Sequence, residues 1–143
     1  QDHTGALAEI ITMTGAQPWC GEPDAEAIET TTGVTCRTMW DGDLFRLGDV
    51  ELDVIGLVGH TRGSIALRLH GNPIDHVLTG DSLFPGRLGK TSGSREFESL
   101  YTDVCMKIFA PTSDTTVIHP GHGDATTVGE ERPNLPLWRA RGW

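Results

Sequence analysis

Apolar residues recur along this chain at two periods, near 3.6 and near 2, and the switches between them predict an α/β layered domain. Residues 4–14 put Leu7, Ile10 and Ile11 on one helical face, with Thr4 placed to cap it. Residues 16–21 read as extended, and 24–29 (DAEAIE) as one or two helical turns. Short alternating runs at 45–47 and 51–55 flank Gly48-Asp49 and predict a β-hairpin. Alternation over 64–69 (SIALRL) predicts a strand that Gly71-Asn72-Pro73 ends, and 76–79 predicts the next. A glycine-rich loop, 86–93 (GRLGKTSG), leads into a helix over 95–109, with Ser94 as its cap. Phe97, Leu100, Tyr101, Val104 and Ile108 share one face of that helix. A strand over 115–118 follows. Thr127 and Glu130 then form a capping box for a last short helix, which Pro133 and Pro136 limit.

Composition narrows the function classes. The chain, 1–143, fits one domain. A hydrophobic content of 37% is lean against roughly 45–50% counted on a slightly wider residue set, which predicts a core shared with chain outside these residues. A net charge of −9 with scattered Lys and Arg supplies no basic face, so no nucleic-acid partner is expected. No apolar run reaches the ~18 residues of a membrane span. Cys20, Cys36 and Cys105 are dispersed, with no CxxC pair. They read as reduced thiols of a cytoplasmic protein that form no soft-metal site. The chain opens at Gln1 with no leader-like segment.

Four loops at element ends carry side chains that suit a hydrolytic metal: Asp2-His3, His60, Asp81 and His122. Such a metal takes imidazole and carboxylate ligands and keeps open positions for water. Singly, each has an ordinary explanation, His60 beside Gly59 as a turn residue and Asp81 after Gly80 as a turn carboxylate.

The surrounding segments are more specific. QDHTG, GLVGHTRGSIAL, VLTGDSLFPG and VIHPGHGDATTVGEERP occur in that order and span nearly the whole chain. Together they resemble the metallo-β-lactamase superfamily, most of all its small glyoxalase II-like hydrolases, whose pattern is His-x-His-x-Asp-His, GH-T-x-GS, TGD-x-LF and PGHG followed by TT-x-GEER. The ending WRARGW is also similar to that of bacterial members. The resemblance implies an αββα sandwich whose N-terminal part, about one sheet, precedes Gln1. Asp2 and His3 then match the end of the first motif, and His60, Asp81 and His122 match the later ligands. The implied first metal is held by a His-x-His pair upstream of Gln1 together with His60 and Asp81. The implied second metal is held by Asp2, His3, Asp81 and His122, with Asp81 bridging. Catalytic roles fall on Asp2 and Asp81. Zinc is expected, two ions in the full-length form, with iron or manganese as alternatives.

The activity implied is hydrolysis of a small thioester or similar ester by metal-activated water. The small molecule is the partner expected, and a homodimer is left open. Lys90 matches a lysine that holds a carboxylate of the thiol cofactor in glyoxalase II enzymes; its ordinary reading is a solvated loop lysine. Two other readings stand beside the hydrolase, a mononuclear iron persulfide dioxygenase and a non-catalytic truncated remnant. The family match and two flanking glycines select His122 over His119. His70 and His76 read as surface residues near a turn. Thr61 and Ser64 read as shaping the turn behind His60, and Tyr101 as packing.

Overall fold

The computed structural model describes residues 3–142. The elements run α1 (Leu7–Thr14), β1 (Trp19–Gly21), α2 (Ala25–Thr32), β2 (Arg37–Met39), β3 (Leu44–Leu47), β4 (Val50–Gly56), β5 (Ile65–Leu69), β6 (His76–Gly80), β7 (Leu83–Phe84) and β8 (Arg87–Leu88). There follow α3 (Ser94–Asp103), which continues as a π-helical segment Val104–Phe109, then β9 (Val117–Pro120), β10 (Thr126–Thr127), α4 (Val128–Glu131) and α5 (Leu135–Arg141). Six strands form a mixed sheet in the order β10-β9-β6-β5-β4-β3. Only β6 and β9 in it are parallel, because α3 and its π-helical continuation make the crossover between them. Pairs β1–β2 and β7–β8 lie apart from this sheet. This is the α/β layering that the two hydrophobic periods predict.

The hairpin at Gly48-Asp49 is present, with Leu47 paired to Val50 and Gly48 at φ 62, a left-handed conformation that glycine adopts without strain. The capping box is also present: Glu130 N–H donates to Thr127 Oγ1 and Thr127 N–H to Glu130 Oε2. Neither Thr4 nor Ser94 is a cap. Helix α1 begins at Leu7 after Ala6, and Ser94 is itself the first residue of α3. The loop 86–93 is partly a strand, since Arg87–Leu88 folds back on Leu83–Phe84. Pro136 sits in the first turn of α5 rather than ending a helix, where its missing N–H has no helical partner to lose.

One face of the sheet is covered by helices. Ala66, Val77 and Ile118 pack there with Leu100, Val104, Ile108 and Trp138, all essentially buried. On the opposite face Val54, Leu67, Leu78 and His119 stand in register across β4, β5, β6 and β9, and Leu78 is 46% exposed. In an αββα sandwich a second sheet covers this face. Among the described residues no helix is long and apolar enough to cross a membrane.

Candidate metal centre

The end of β6 fixes the position of Asp81. Thr79, fully buried, donates from Oγ1 to the Leu83 carbonyl at 2.9 Å, and Ser82 N–H donates to the Thr79 carbonyl. This tight turn leaves the Asp81 side chain only 11% exposed. Two close backbone approaches seal it. A Cβ on Gly121 would stand 2.4 Å from Asp81 Oδ1, and one on Gly89 would stand 1.7 Å from the Asp81 carbonyl oxygen. At Gly89 the clash is with backbone, so only glycine fits there, while a side chain at Gly121 would displace the Asp81 carboxylate.

Three imidazoles converge on this carboxylate from distant parts of the sequence. Nε2 lies 3.0 Å from Asp81 Oδ2 in His3, 3.6 Å in His122 and 3.9 Å in His60. His3 precedes α1, His60 follows β4 and His122 follows β9. Asp2, the remaining residue named from the sequence, lies outside the described residues.

His60 is the most constrained of the three. Its Nδ1 is 2.8 Å from the Lys90 carbonyl. A carbonyl only accepts, so Nδ1 is the donor here and Nε2 is the nitrogen turned toward Asp81. Its loop is anchored by Asp24, which accepts from Thr61 Oγ1 at 2.5 Å and from the Gly63 N–H at 2.8 Å. Thr61 N–H also donates to Ser64 Oγ, so Thr61 and Ser64 do shape the turn behind His60. His122 packs against Phe84 with ring centroids 4.8 Å apart. The Arg87 guanidinium lies 4.3 Å from the same Phe84 ring centroid.

The donor set suits a metal. Asp81 Oδ1 is buried without a hydrogen-bond partner, a costly state for a carboxylate oxygen unless a cation lies beside it. His60 Nε2 faces Asp81 Oδ2 at 3.9 Å, too long for a direct hydrogen bond. Two ligand atoms at ~2.1 Å from one tetrahedral ion stand roughly 3.4 Å apart, inside the observed spread of 3.0 to 3.9 Å. Among the described residues no three such side chains are closed around one ion position as they stand. The convergence is pairwise, each imidazole on Asp81. Imidazole with carboxylate is a donor set for zinc or iron.

No protein-family model matches the chain. An uncharacterized protein of Mycobacterium leprae is 42% identical over 100 residues, covering 68% of this chain and 44% of that protein. The hydroxyacylglutathione hydrolase GloC of Haemophilus influenzae is 28% identical over 156 residues, covering 98% of this chain and 72% of that one. Among solved structures, ETHE1 from Myxococcus xanthus superposes with a TM-score of 0.76 at 25% identity, over 94% of this chain and 57% of that one. The chain belongs to the metallo-β-lactamase superfamily. It fits a small glyoxalase II-like member, and it spans about half the length of most curated relatives it matches.

Two readings of the sequence change on this scaffold, and one residue is added. His76 is not a turn residue on the surface. It lies on β6, half-buried, with Nδ1 3.0 Å from His119 Nε2 and the two rings stacked. His119 is therefore engaged away from Asp81, which leaves His122 at the centre. The cysteines are not all dispersed: Cys36, just before β2, lies close enough to Cys20 on the neighbouring strand β1 to affect its thiol. Burial, and then Cys36, push the Cys20 thiol up to about 11. Asp24 was not singled out from the sequence, since its partners Thr61 and Gly63 lie 37 and 39 residues away. His70 is exposed and hydrogen-bonded to Asp53, and Tyr101 stacks on Phe97 while donating to the Leu135 carbonyl. The Lys90 side chain is exposed and lines a cavity of about 280 Å³ with Arg87, Phe97, Trp138 and Arg141.

Proposed function

We propose that this chain carries the metal-binding half of a hydrolase that cleaves small thioesters, with His3, His60, Asp81 and His122 as metal ligands and Asp2 completing the set. The observation that carries this reading is the buried, half-orphaned Asp81 carboxylate on which the Nε2 atoms of His3, His60 and His122 converge, with the Lys90 carbonyl holding the other nitrogen of His60. A metal bound there would lower the pKa of a water and polarise an acyl carbonyl. The chain's own residues do the rest. Asp81 supplies the negative charge common to every ligand pair, and the Lys90 carbonyl holds the His60 ring in orientation. Phe84 packs against the His122 ring and limits where it can turn. Lys90, exposed at the rim, serves as a contact for a carboxylate of the thiol portion. A thiolate is a good leaving group, so no strong general acid is needed.

The test is thiol release from a panel of acyl thioesters, run beside oxygen uptake on a persulfide, with the chain extended by the upstream His-x-His segment of a relative. Thioester cleavage is expected, with Lys90→Ala raising KM more than it lowers kcat. Oxygen uptake without cleavage would assign the centre to a dioxygenase. Silence in both assays with metal loaded would leave a non-catalytic remnant.

A further inference from the structure

The mixed sheet ends at β3. Edge strands are commonly blunted by charge, proline or a bulge, because their unpaired N–H and carbonyl groups recruit other strands. On β3 the sequence is Leu44-Phe45-Arg46-Leu47. Its one charge is engaged within the chain, with Arg46 Nε donating to Glu51 at 2.8 Å. Leu44 is 63% exposed and Leu47 66%, and Val50 is exposed beside them. Phe45 meets the exposed Trp19 edge-on, ring centroids 5.4 Å apart, so the apolar surface continues past the strand.

The backbone of β3 shows which groups face outward. Val54 donates its N–H to the Asp43 carbonyl and accepts from the Gly42 N–H, so it faces β3. Backbone groups alternate in direction along an antiparallel strand. Leu52 and Val50 therefore face β3 as well and hold their register partners Phe45 and Leu47. The N–H and carbonyl groups of Leu44 and Arg46 point away from β4, where the sheet has no further strand among the described residues.

These outward groups complement a second copy of themselves. Two β3 strands can run antiparallel about a two-fold axis at Phe45. Leu44 of each then stands opposite Arg46 of the other, and every outward N–H meets an outward carbonyl. Phe45 faces Phe45 of the second copy as the closer, non-hydrogen-bonded pair. The aliphatic stem of Arg46 lies along Leu44 of the second copy. Neighbouring registers are worse. Sliding by two residues one way sets Arg46 opposite Arg46 of the second copy, a like-charge pair. Sliding the other way sets Arg46 opposite Gly42, which precedes β3 with φ 91.

We propose that β3 pairs with β3 of a second copy in this register, joining two six-stranded sheets into one continuous sheet. The inference does not depend on the reaction assigned to the metal centre. In this arrangement β4 runs antiparallel to β4 of the second copy. The two His60 loops, which follow β4, lie at opposite ends of the joined sheet, so neither copy closes the other's centre.

The test measures association directly. A contact this short lies below the roughly 1,200 Å² of a stable interface, so the dimer is weak and is sought by sedimentation velocity at chain concentrations up to about 500 μM. The runs use about 150 mM salt, which screens repulsion between two chains of net charge −9 beyond about 8 Å. The chain should pass from monomer to dimer across the series. Its Leu44 and Arg46 amides should exchange with deuterium more slowly as the concentration rises, while Phe45, already bonded to β4, should not change. Arg46→Pro removes an outward N–H without touching the β3–β4 ladder and should weaken association at least tenfold with Tm nearly unchanged. Leu44→Lys, placed opposite Arg46 of the second copy, should weaken it at least as much, and Leu44→Glu should tighten it several-fold. That reversal of sign belongs to this register alone. The form extended by the upstream segment should associate in the same way. A monomer at every concentration, a dimer indifferent to Arg46→Pro, or equal weakening by Leu44→Lys and Leu44→Glu would overturn the proposal. A monomeric extended form beside a dimeric 143-residue chain would give the edge to the upstream segment and overturn it too.

Discussion

Asp81→Ala separates a carboxylate kept for a metal from one kept for the fold. Without metal, Asp81 makes one hydrogen bond, to His3 Nε2 at 3.0 Å on a largely exposed ring, worth about 0.5–1.5 kcal/mol. Against this stands Oδ1, buried and unpartnered, at a cost of roughly 1–3 kcal/mol. The substitution removes both. In chelator the variant should therefore match the parent or exceed it by up to about 2 kcal/mol, given how these ranges overlap. At roughly 2–4 °C per kcal/mol for a chain near this size, the gain in Tm is at most about 8 °C. With zinc at a hundred times its Kd, the parent gains about 2.7 kcal/mol and the variant gains none, so the order reverses. Differential scanning calorimetry in chelator and in a zinc series measures both effects. A variant several degrees less stable in chelator, or one that keeps the zinc shift, would mean that Asp81 is structural. In the extended, active form the same change should cost at least about 100-fold in rate, the usual loss for one preorganised charge-stabilising group.

Other perturbations probe the surroundings of the centre. Gly121→Ala puts a methyl group 2.4 Å from Asp81 Oδ1; zinc affinity should fall about 10- to 100-fold with the circular dichroism spectrum unchanged, as competition with a chromophoric chelator would show. Asp24→Ala leaves the buried Gly63 N–H without its acceptor, and urea unfolding should record a loss of about 1–3 kcal/mol; a loss under 0.5 kcal/mol would mean that another group holds the His60 loop. Cys20, raised to about 11 by burial, stays protonated at pH 8 and should alkylate well behind Cys36 in a timed iodoacetamide reaction read by peptide mass. The unfolded thiol ionises near 9.0 and so loses its proton first. Stability is therefore full below pH 9 and falls as the pH rises from about 9 to about 11; a Cys20→Ser variant should flatten that slope, and an unchanged slope would remove Cys20 as its source.

What was legible in the sequence divides by the range of the interaction that determines it. The hairpin at Gly48-Asp49 and the Thr127–Glu130 box came through because their physics is complete within a few residues. The caps at Thr4 and Ser94 were misread because a hydroxyl at a helix start is a propensity only, and backbone contacts such as Leu7 N–H to the Thr4 carbonyl took that role instead. His60, Asp81 and His122 were found as separate motifs, but nothing local says that their side chains meet; the mixed sheet and its β6–β9 crossover bring them together. The same crossover pairs His76 with His119 and so takes His119 out of contention, an outcome invisible until the register Leu78 to His119 is known. The choice of His122 from its flanking glycines therefore has a second, independent reason in the fold. Gly121 is there to let Asp81 Oδ1 come close, and any side chain at that position would push the carboxylate off the point where the three imidazoles converge.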